Sequence, residues 1–166
     1  MTVNKQDYDG PVLEIEGLCL SYFVRSGEIP AVADFSLTLA PGESVGLVGE
    51  SGCGKSTVAL AIMRYLGHNG GIVGGSIKFK GRDMATLSAE ELRRLRGSEI
   101  AMIYQEPMAA LNPSMTIGAQ LMEVPVIHEG ASEGEARELA MAMLADVHLP
   151  DPGRLMAAYP HQISGG

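Results

Sequence analysis

The chain has 166 residues, 20 acidic against 12 basic side chains, and a formal net charge of −8. This length suits one domain with a substantial core, and 46% hydrophobic against 19% charged residues indicates a globular protein. A sequence pI of about 4.9 argues against nucleic-acid binding, which needs a basic face. An aromatic content of 5% without tryptophan argues against a base-stacking surface as well.

Segments for membrane crossing, secretion or metal binding are not expected. The longest stretch without a charged residue, Pro107 to Met122, has 16 residues, fewer than the roughly 18 that a membrane-spanning helix needs. The first eleven residues contain no apolar run of the kind that a signal peptide requires. Cys19 and Cys53 lie far apart without metal-site spacing, and the four histidines form no pair at helical spacing. Two reduced thiols in a cytosolic protein are the simplest interpretation.

The first part of the chain alternates strand patterns with turns. Apolar positions from Val12 to Tyr22 predict a strand, and a glycine-containing turn from Gly27 to Pro30 follows it. From Phe35 to Leu39, apolar residues alternate with serine and threonine, as in a strand with one buried face. After the turn at Pro41 and Gly42, the short apolar run from Ser44 to Val48 predicts a buried strand.

A glycine-rich loop from Gly49 to Gly54 separates this strand from a helix that is predicted to begin at Lys55. The segment from Gly67 to Gly75 contains five glycines among nine residues and predicts a loop too flexible for regular structure. Ser76 to Phe79 predicts another strand. One face of the helix is expected to hold Val58, Ile62 and Tyr65.

Two later helices have clear starting signals. Ser88 with Glu91, and Ser132 with Glu135, each fit a capping box, in which the serine and the glutamate exchange hydrogen bonds with each other's backbone. Between these helices, the segment from Ile100 to Tyr104 predicts a buried strand. One apolar face of the second helix is expected to consist of Ala136, Ala140, Met143, Leu144 and Val147.

The order of these elements predicts the α/β fold class, with antiparallel β elements and a helical annex. Three parts are expected along the chain. Residues 1–11 form an N-terminal tail, residues 12–106 form an α/β core with a β subdomain, and residues 107–166 form a subdomain of helices only.

Residues Gly49 to Ser56, Gly-Glu-Ser-Gly-Cys-Gly-Lys-Ser, fit the pattern G-x-x-x-x-G-K-[ST] between the predicted buried strand and the predicted helix. Glycines let backbone N–H groups turn around a phosphate chain, and the N-terminus of the helix points its free N–H groups at the same phosphates. Lys55 adds a positive charge at the β- and γ-phosphates, and Ser56 offers a hydroxyl to Mg²⁺. The loop therefore predicts binding of a nucleoside triphosphate, a property that kinases, GTPases and motor ATPases share.

Further motifs distinguish between these classes. Residues Ile103 to Pro107, with Leu-Asn-Pro at 111–113 and Thr-Ile-Gly at 116–118, resemble the Q-loop region of ABC-transporter ATPases. Residues Tyr159 to Gly166, Tyr-Pro-His-Gln-Ile-Ser-Gly-Gly, resemble the start of their signature motif, with isoleucine where leucine is commoner. The Leu-Asn-Pro and Tyr-Pro-His-Gln sequences are similar to those of the ATP-binding subunits of dipeptide, oligopeptide and nickel importers. The resemblance extends from Val12 to the last residue and implies a P-loop NTPase fold, the N-terminal part of an ABC nucleotide-binding domain.

The resemblance implies a role for each matching residue. Lys55 and Gln105 would be catalytic, and Ser56 and Gln105 would bind Mg²⁺. Gln105 would also reach the attacking water and would sense the transporter's membrane subunit. Tyr22 would stack on adenine, and Phe23 beside it is the competing candidate. The residues that would contact the γ-phosphate held by a second copy are Ser164, Gly165 and Gly166. The nucleotide-binding residues would be Tyr22, Gly49, Glu50, Ser51, Gly52, Cys53, Gly54, Lys55, Ser56 and Thr57.

The sequence departs from the family pattern at its end. The family's Walker B strand, with its Mg²⁺-binding aspartate and catalytic glutamate, is expected to follow Gly166, and so is the switch histidine. His161 is in the wrong place to replace that histidine, and Glu106 would not lie at the end of the strand that flanks the phosphate loop. Residues 1–166 are therefore expected to carry the nucleotide cradle without the general base, and to be inactive by themselves.

For the complete protein, the resemblance implies an ATPase subunit of an importer that takes up peptides or a related small solute. Its cofactors would be ATP and Mg²⁺, and its partners a second ATPase subunit and transmembrane permease subunits, without nucleic acid. The complete protein would be a peripheral protein at the cytoplasmic face of the cell membrane. Two alternatives stay open: a non-hydrolysing nucleotide-binding module, or a different P-loop NTPase such as a kinase or a GTPase, although the guanine motif Asn-Lys-x-Asp is absent.

Ten methionines occur in the chain, and seven of them follow residue 100. Methionine fills irregular gaps in protein cores, which is the interpretation that we favour, but it also lines adaptable binding surfaces. The second interpretation would place a docking surface for a membrane subunit on the helical annex.

Overall fold

A computed structural model of the chain describes residues 8–106 and 110–163. Contacts within the chain divide it into two units, Met1–Leu92 and Arg93–Gly166. The predicted tail at residues 1–11 lies largely outside the described residues, and the predicted three-part division stays a prediction. The helices and strands are β1 Leu13–Val24, β2 Gly27–Leu39, α1 Lys55–Ile62, β3 Gly70–Phe79, β4 Arg82–Asp83, α2 Ala89–Ser98, α3 Ile117–Val124, α4 Glu133–Asp146 and α5 Pro152–Ala157. A π-helical turn covers Pro125–Glu129, and a 3-10 turn covers Pro160–Gln162.

The first unit is built around β1, which lies at the centre of an antiparallel sheet in the order β2-β1-β3-β4. This central position explains why β1 carries three large side chains that are almost fully buried, Ile15, Leu18 and Leu20. Helix α1 contacts both β1 and β2 and buries Val58 and Ala61. Burying each large aliphatic side chain of this kind contributes about 1.5–3 kcal/mol to folding. The strand predicted from Val12 to Tyr22 is confirmed as β1.

Strand β2 confirms the alternation predicted from Phe35 to Leu39, because these apolar residues are half-buried and the serine and threonine between them are exposed. The turn before β2 lies earlier than predicted. The chain reverses at Arg25 and Ser26, and Gly27 already pairs with Val24 of β1. The prediction of a turn from Gly27 to Pro30 is therefore wrong, because these four residues pair with residues 21–24 of β1 and belong to the sheet.

The glycine-rich segment from Gly67 to Gly75 is not a loop throughout, because β3 begins at Gly70. A Cβ atom at Gly70 would lie 2.6 Å from the carbonyl oxygen of Leu66. At Gly75, where φ is +76°, a Cβ atom would collide with the carbonyl oxygen of Glu16 on β1. These glycines permit close backbone packing rather than flexibility, so the prediction of a loop is wrong here. The strand predicted from Ser76 to Phe79 is confirmed as the last part of β3.

Two segments that were predicted as buried strands, Ser44 to Val48 and Ile100 to Tyr104, have no strand structure. Val48 is 94% exposed and Ile103 is 93% exposed. A strand needs a ladder of backbone hydrogen bonds to a neighbour, and no strand in residues 8–106 and 110–163 pairs with either segment. Both predictions are wrong for this structure, because an apolar pattern alone cannot supply the neighbouring strand.

The capping boxes predicted for α2 and α4 are both confirmed. The Ser88 N–H donates to Glu91 Oε2 at 2.9 Å, and the Glu91 N–H donates to Ser88 Oγ at 3.3 Å. Before α4, the Ser132 N–H donates to Glu135 Oε2 at 2.9 Å, and the Glu135 N–H donates to Ser132 Oγ at 3.4 Å. Each exchange satisfies N–H groups that the start of a helix leaves without an intrahelical acceptor.

The second unit is helical wherever residues 110–163 form regular structure, as predicted. Helix α4 buries one face, with Ala136 fully enclosed, but Met143 and Val147 are exposed, so the prediction is wrong for these two residues. Met143 is turned 100° from its buried neighbour Leu144, because successive residues of a helix advance by 100°. Val147 follows Asp146, the last residue of α4, and lies at the end of the helix. The core of this unit consists of Ala140, Leu144 and Met156, with Leu121, Met122, Met141 and Leu155 packed against them. Met122, Met141 and Met156 therefore fill the core of this unit, in agreement with the favoured interpretation that methionine fills gaps in the core.

Candidate functional site

The glycine-rich loop from Gly49 to Gly54 leads directly into α1, as the phosphate-binding motif requires. Gly54 precedes the helix and has no side chain with which to cap its first N–H groups. The first N–H groups of a helix lack an intrahelical acceptor, so those at Lys55 and the next residues remain available to an anion. Helix α4 differs, because Ser132 occupies the same position with a capping hydroxyl. The start of α1 thus leaves its donors for a ligand.

The backbone of Gly54 lies close to strand β2. The φ angle of Gly54 is +94°, in the left-handed region, and an added Cβ atom would lie 2.8 Å from the carbonyl oxygen of Ala31 and 2.9 Å from Cγ2 of Val32. Both the backbone conformation and the close contact exclude a side chain. Since Ala31 lies far earlier in the chain, nothing in the motif itself indicates this contact.

The side chain of Lys55 forms hydrogen bonds with the start of the loop. Its Nζ atom donates to the carbonyl oxygen of Gly49 at 2.8 Å and to that of Glu50 at 2.6 Å, and it lies 3.4 Å from Sγ of Cys53. The ammonium group is therefore held beside the N-terminus of α1, where the helix dipole adds a partial positive charge. Together these charges favour a polyanionic ligand. The two carbonyl acceptors were not predicted from the sequence, because the motif specifies residue types but not contacts within the loop.

The outer side of the loop is open. Ser51 is exposed, and an added Cβ atom at Gly52 would meet nothing within 4 Å. In the first turn of α1, Ser56 is exposed and Thr57 is half-buried. The hydroxyl oxygen of Ser56 is a hard ligand of the kind that Mg²⁺ prefers, so this position fits the role that the motif implies. Helix α1 ends at Ile62, and the predicted face is wrong for Tyr65, which lies beyond the end and is exposed.

The two aromatic candidates for adenine stacking lie at the end of β1. Tyr22 is half-buried and pairs with Ile29 of β2 and Gly70 of β3, whose hypothetical Cβ atom would lie 3.0 Å from Cε1 of the Tyr22 ring. Phe23 is exposed, and its N–H donates to the carbonyl oxygen of Asn69 at 2.7 Å. Both belong to the same unit as the loop, and stacking on adenine stays a prediction for either one.

The remaining predicted residues belong to the second unit. Gln105 is exposed and lines an open cavity of about 580 Å³ together with Tyr104, Glu106 and Ala110. The signature residues Ser164, Gly165 and Gly166 lie outside the described residues. The structure thus brings together the loop residues and the first turn of α1, while the roles of Gln105 and of the signature stay predictions.

The Tyr-Pro-His-Gln sequence before the signature forms an ordered turn. The N–H of Tyr159 donates to Oε1 of Gln162 at 2.9 Å, and the rings of Tyr159 and His161 stack with their centroids 5.8 Å apart. Within the described ranges, no group of three or more His, Cys, Asp and Glu side chains could hold a metal ion. None of the helices described is both long enough and apolar enough to cross a membrane.

Comparisons with known proteins place this geometry in a family. The family described as ABC transporter matches residues 32–166. A peptide import ATP-binding protein of Brucella abortus is 45% identical over 156 residues, which cover 94% of this chain and 47% of that protein. The oligopeptide transport ATP-binding protein OppD of Salmonella typhimurium is 46% identical over 155 residues, which cover 93% of this chain and 46% of OppD. The chain therefore spans about half the length of these relatives.

Solved structures agree on the fold. A dimeric bacterial ABC transporter cassette, MJ0796, matches with a TM-score of 0.76 at 24% identity, over 92% of this chain and 63% of that chain. A structure of the same cassette in a post-hydrolysis state, bound to ADP and Pi, matches with the same TM-score. At this level of identity the likeness shows the fold alone. The α/β fold class with a P-loop, predicted from the sequence, is confirmed.

Proposed function

This chain belongs to the ABC transporter family, and we propose that it is the ATP-binding part of an importer subunit that couples ATP binding and hydrolysis to the uptake of peptides or a related small solute. The observation that carries the proposal is the loop before α1, where Lys55 Nζ lies beside a helix N-terminus without a capping side chain. The names of the relatives from Brucella and Salmonella support peptides as the solute. Membership of this family excludes the alternative of a P-loop kinase or GTPase.

ATP is the substrate in this proposal, and its phosphates bind at the loop. The backbone N–H groups of the first turn of α1 and the ammonium group of Lys55 counter the phosphate charge. An ammonium group has three donors, so Lys55 can keep a hydrogen bond to Gly49 or Glu50 while it donates to phosphate oxygens. Held in this way, the charge is already in place when negative charge develops on the transferring phosphoryl group.

Mg²⁺ would be held by the hydroxyl of Ser56 and the side-chain oxygen of Gln105. When bound, the ion neutralises charge on the β- and γ-phosphates. Gln105 would also orient the attacking water, and Tyr22 would stack on the adenine ring. The exposed positions of Ser56 and Gln105 support these roles, because both side chains are accessible to a ligand.

The proposed assembly contains a second ATPase subunit and transmembrane permease subunits, at the cytoplasmic face of the cell membrane. The signature residues Ser164, Gly165 and Gly166 would act on the ATP held by the second copy. The dimeric state of the related cassette supports the first partner, and the import function in the names of the relatives supports the second.

The test is Lys55→Ala in the full-length protein, assembled with its permease. Because the mutation removes the charge that stabilises the transferring phosphoryl group, Mg-ATP hydrolysis is expected to fall by about 100-fold or more. Lys78→Ala on β3 is the control, since that lysine pairs across the sheet with Glu14 and lies outside the loop. Hydrolysis by Lys55→Ala at nearly the wild-type rate would show that the loop is not the catalytic cradle.

A further inference from the structure

A side chain on α3 binds the backbone of the segment that precedes this helix. The side-chain oxygen of Gln120 accepts from the N–H of Asn112 at 2.9 Å, and the side-chain nitrogen donates to the carbonyl oxygens of Asn112 at 3.0 Å and Met115 at 3.1 Å. Gln120 is half-buried. These contacts need an acceptor and two donors on one side chain, which a primary amide offers and which neither a carboxylate nor an ammonium group can supply. We call these three hydrogen bonds the Gln120 clasp.

The segment that the clasp holds contains the Leu-Asn-Pro sequence. Within it, Oδ1 of Asn112 accepts from the N–H of Ser114 at 3.0 Å. Helix α3 itself packs closely, since a Cβ atom added at Gly118 would lie 2.6 Å from the carbonyl oxygen of Met156 on α5. The helix is therefore fixed against the core of the second unit, and Gln120 ties the segment before the helix to that core.

The held segment borders the cavity that contains Gln105. Ala110 lines that cavity of about 580 Å³, and it also lines a second open cavity of about 480 Å³ together with Asn112 and Gln120. All of these residues belong to the unit Arg93–Gly166. Because Ala110 belongs to the walls of both cavities, a shift of the segment changes both of them. The position of the segment therefore helps to set the shape of the space around Gln105.

We propose that Gln120 is a positioning residue for Gln105, which holds residues 110–115 so that the space around the Gln105 side chain keeps its shape during hydrolysis. The inference rests on the proposed function, because that function gives Gln105 its role toward Mg²⁺ and the attacking water. Groups that take part in a reaction must be held close to their working geometry, so the contacts that support them contribute to the rate. The phosphate loop belongs to the other unit, Met1–Leu92, so loss of the clasp should slow turnover and leave ATP affinity unchanged.

The first variant is Gln120→Met in the full-length protein, assembled with its permease, because methionine keeps the length of the side chain and removes the clasp. We expect kcat for Mg-ATP hydrolysis to fall by about tenfold, while the KM for ATP changes by less than about twofold. Hydrogen exchange at residues 110–116 should become faster, since the N–H of Asn112 loses its acceptor, and exchange at residues 49–56 should stay the same. Glu123→Met, at an exposed position three residues further along α3, is the matched control and should behave like the wild type.

A second variant, Gln120→Glu, keeps the proposal testable if methionine prevents folding. It replaces the NH₂ group by an oxygen atom and preserves the shape of the side chain, but both donors are lost and a carboxylate faces the carbonyl oxygens of Asn112 and Met115. The same loss of kcat is expected. Turnover at the wild-type kcat by either folded variant would overturn the proposal, and so would a loss of ATP affinity that accounts for the whole loss of activity.

A double-mutant cycle with Gln105→Ala tests whether Gln120 acts through Gln105. In the Gln105→Ala background, Gln120→Met should cause little further loss of turnover, because the group that it positions is already absent. Losses that multiply independently would overturn the proposal and leave the proposed function in place. Wild-type hydrolysis by Gln105→Ala would contradict the role of Gln105 in the proposed function, and this inference would fall with it. Lys55→Ala tests the phosphate loop separately, so the two failures are distinguishable.

Discussion

Among the single residues of the loop, Gly54 is constrained by its backbone, because its φ of +94° and its contact with Ala31 both exclude a side chain. Gly54→Ala in the full-length protein is expected to cost about 1–3 kcal/mol of stability, which calorimetry would show as a lower Tm. ATP binding should weaken with it, since the first turn of α1 must shift. Gly46→Ala is the matched control, because Gly46 has no left-handed φ and nothing lies within 4 Å of an added Cβ atom. Equal melting temperatures for the two variants would contradict this account.

Tyr22 leads to a prediction about nucleotide choice. If adenine is recognised by stacking on this ring, the preference for ATP over GTP should be modest, because every base offers a face for stacking. Tyr22→Phe should bind both nucleotides like the wild type, and Tyr22→Ala should weaken both. Phe23→Ala is the control for the competing aromatic. A preference for ATP well beyond tenfold, about 1.4 kcal/mol, would require hydrogen-bonding recognition of the purine edge instead.

The residues of the loop illustrate what sequence can predict at this scale. The motif identified Gly49 to Ser56 because phosphate binding needs specific residue types at a fixed local spacing. It could not indicate that Ala31 lies against Gly54, or that Lys55 donates to the carbonyl groups of Gly49 and Glu50. Those contacts depend on how β2 and the loop fold, which local spacing does not encode.

Among the elements, α4 allows a prediction that depends on pH. The hydrogen bond from Ser132 is the main cause that lowers the pKa of Glu135 from its ordinary 4.5. A lowered folded-state pKa stabilises the helix at pH above 4.5, and this contribution is lost as the pH falls through the lower folded value. Ser132→Ala should lower the stability at neutral pH and remove most of this acid dependence, because the serine hydroxyl donates the hydrogen bond that favours the ionised carboxylate.

The measurement for α4 is urea unfolding of the full-length protein at neutral pH and at several acidic values. Ser44→Ala, at an exposed serine outside the helices, is the matched control. Glu135→Gln should flatten the same part of the pH profile, because it removes the titrating group but keeps the side chain's size. A pH profile of Ser132→Ala that runs parallel to that of the wild type would refute the role of the capping box.

The elements that sequence predicted correctly are those whose signals are local. Capping boxes, the apolar positions of β1 and the alternation in β2 depend on neighbouring residues, and the structure confirms them. The segment from Ser44 to Val48 failed because a strand also needs a partner, and β3 was missed in part because its glycines pack against β1. On α4, apolar character alone could not separate the buried Ala140 and Leu144 from the exposed Met143, since burial depends on what packs against each side chain.

For the whole molecule, the α/β fold class followed from the order of the predicted elements, and the family followed from the order of the motifs along the chain. A phosphate loop, a Q-loop region and a signature start in that order indicate one family, and the match over residues 32–166 agrees. The solute could not be predicted from residue patterns in this chain, because no pattern in it corresponds to a peptide-binding pocket. The two exposed segments, Ser44 to Val48 and Ile100 to Tyr104, were equally beyond prediction, since burial is a property of the assembled molecule.

These two segments determine how residues 1–166 should behave when they are produced alone. With Val48 and Ile103 almost fully exposed, the chain is expected to self-associate, to bind a hydrophobic dye and to unfold without a sharp transition. Val48→Ser with Ile103→Ser should reduce dye binding and aggregation, whereas Val73→Ser, the matched control, should not. Mg-ATP hydrolysis is expected to be absent, because Ser56 and Gln105, the proposed metal ligands, would not activate the attacking water. A sharp cooperative transition from a monomer would contradict the structural part, and phosphate release that Lys55→Ala abolishes would contradict the chemical part.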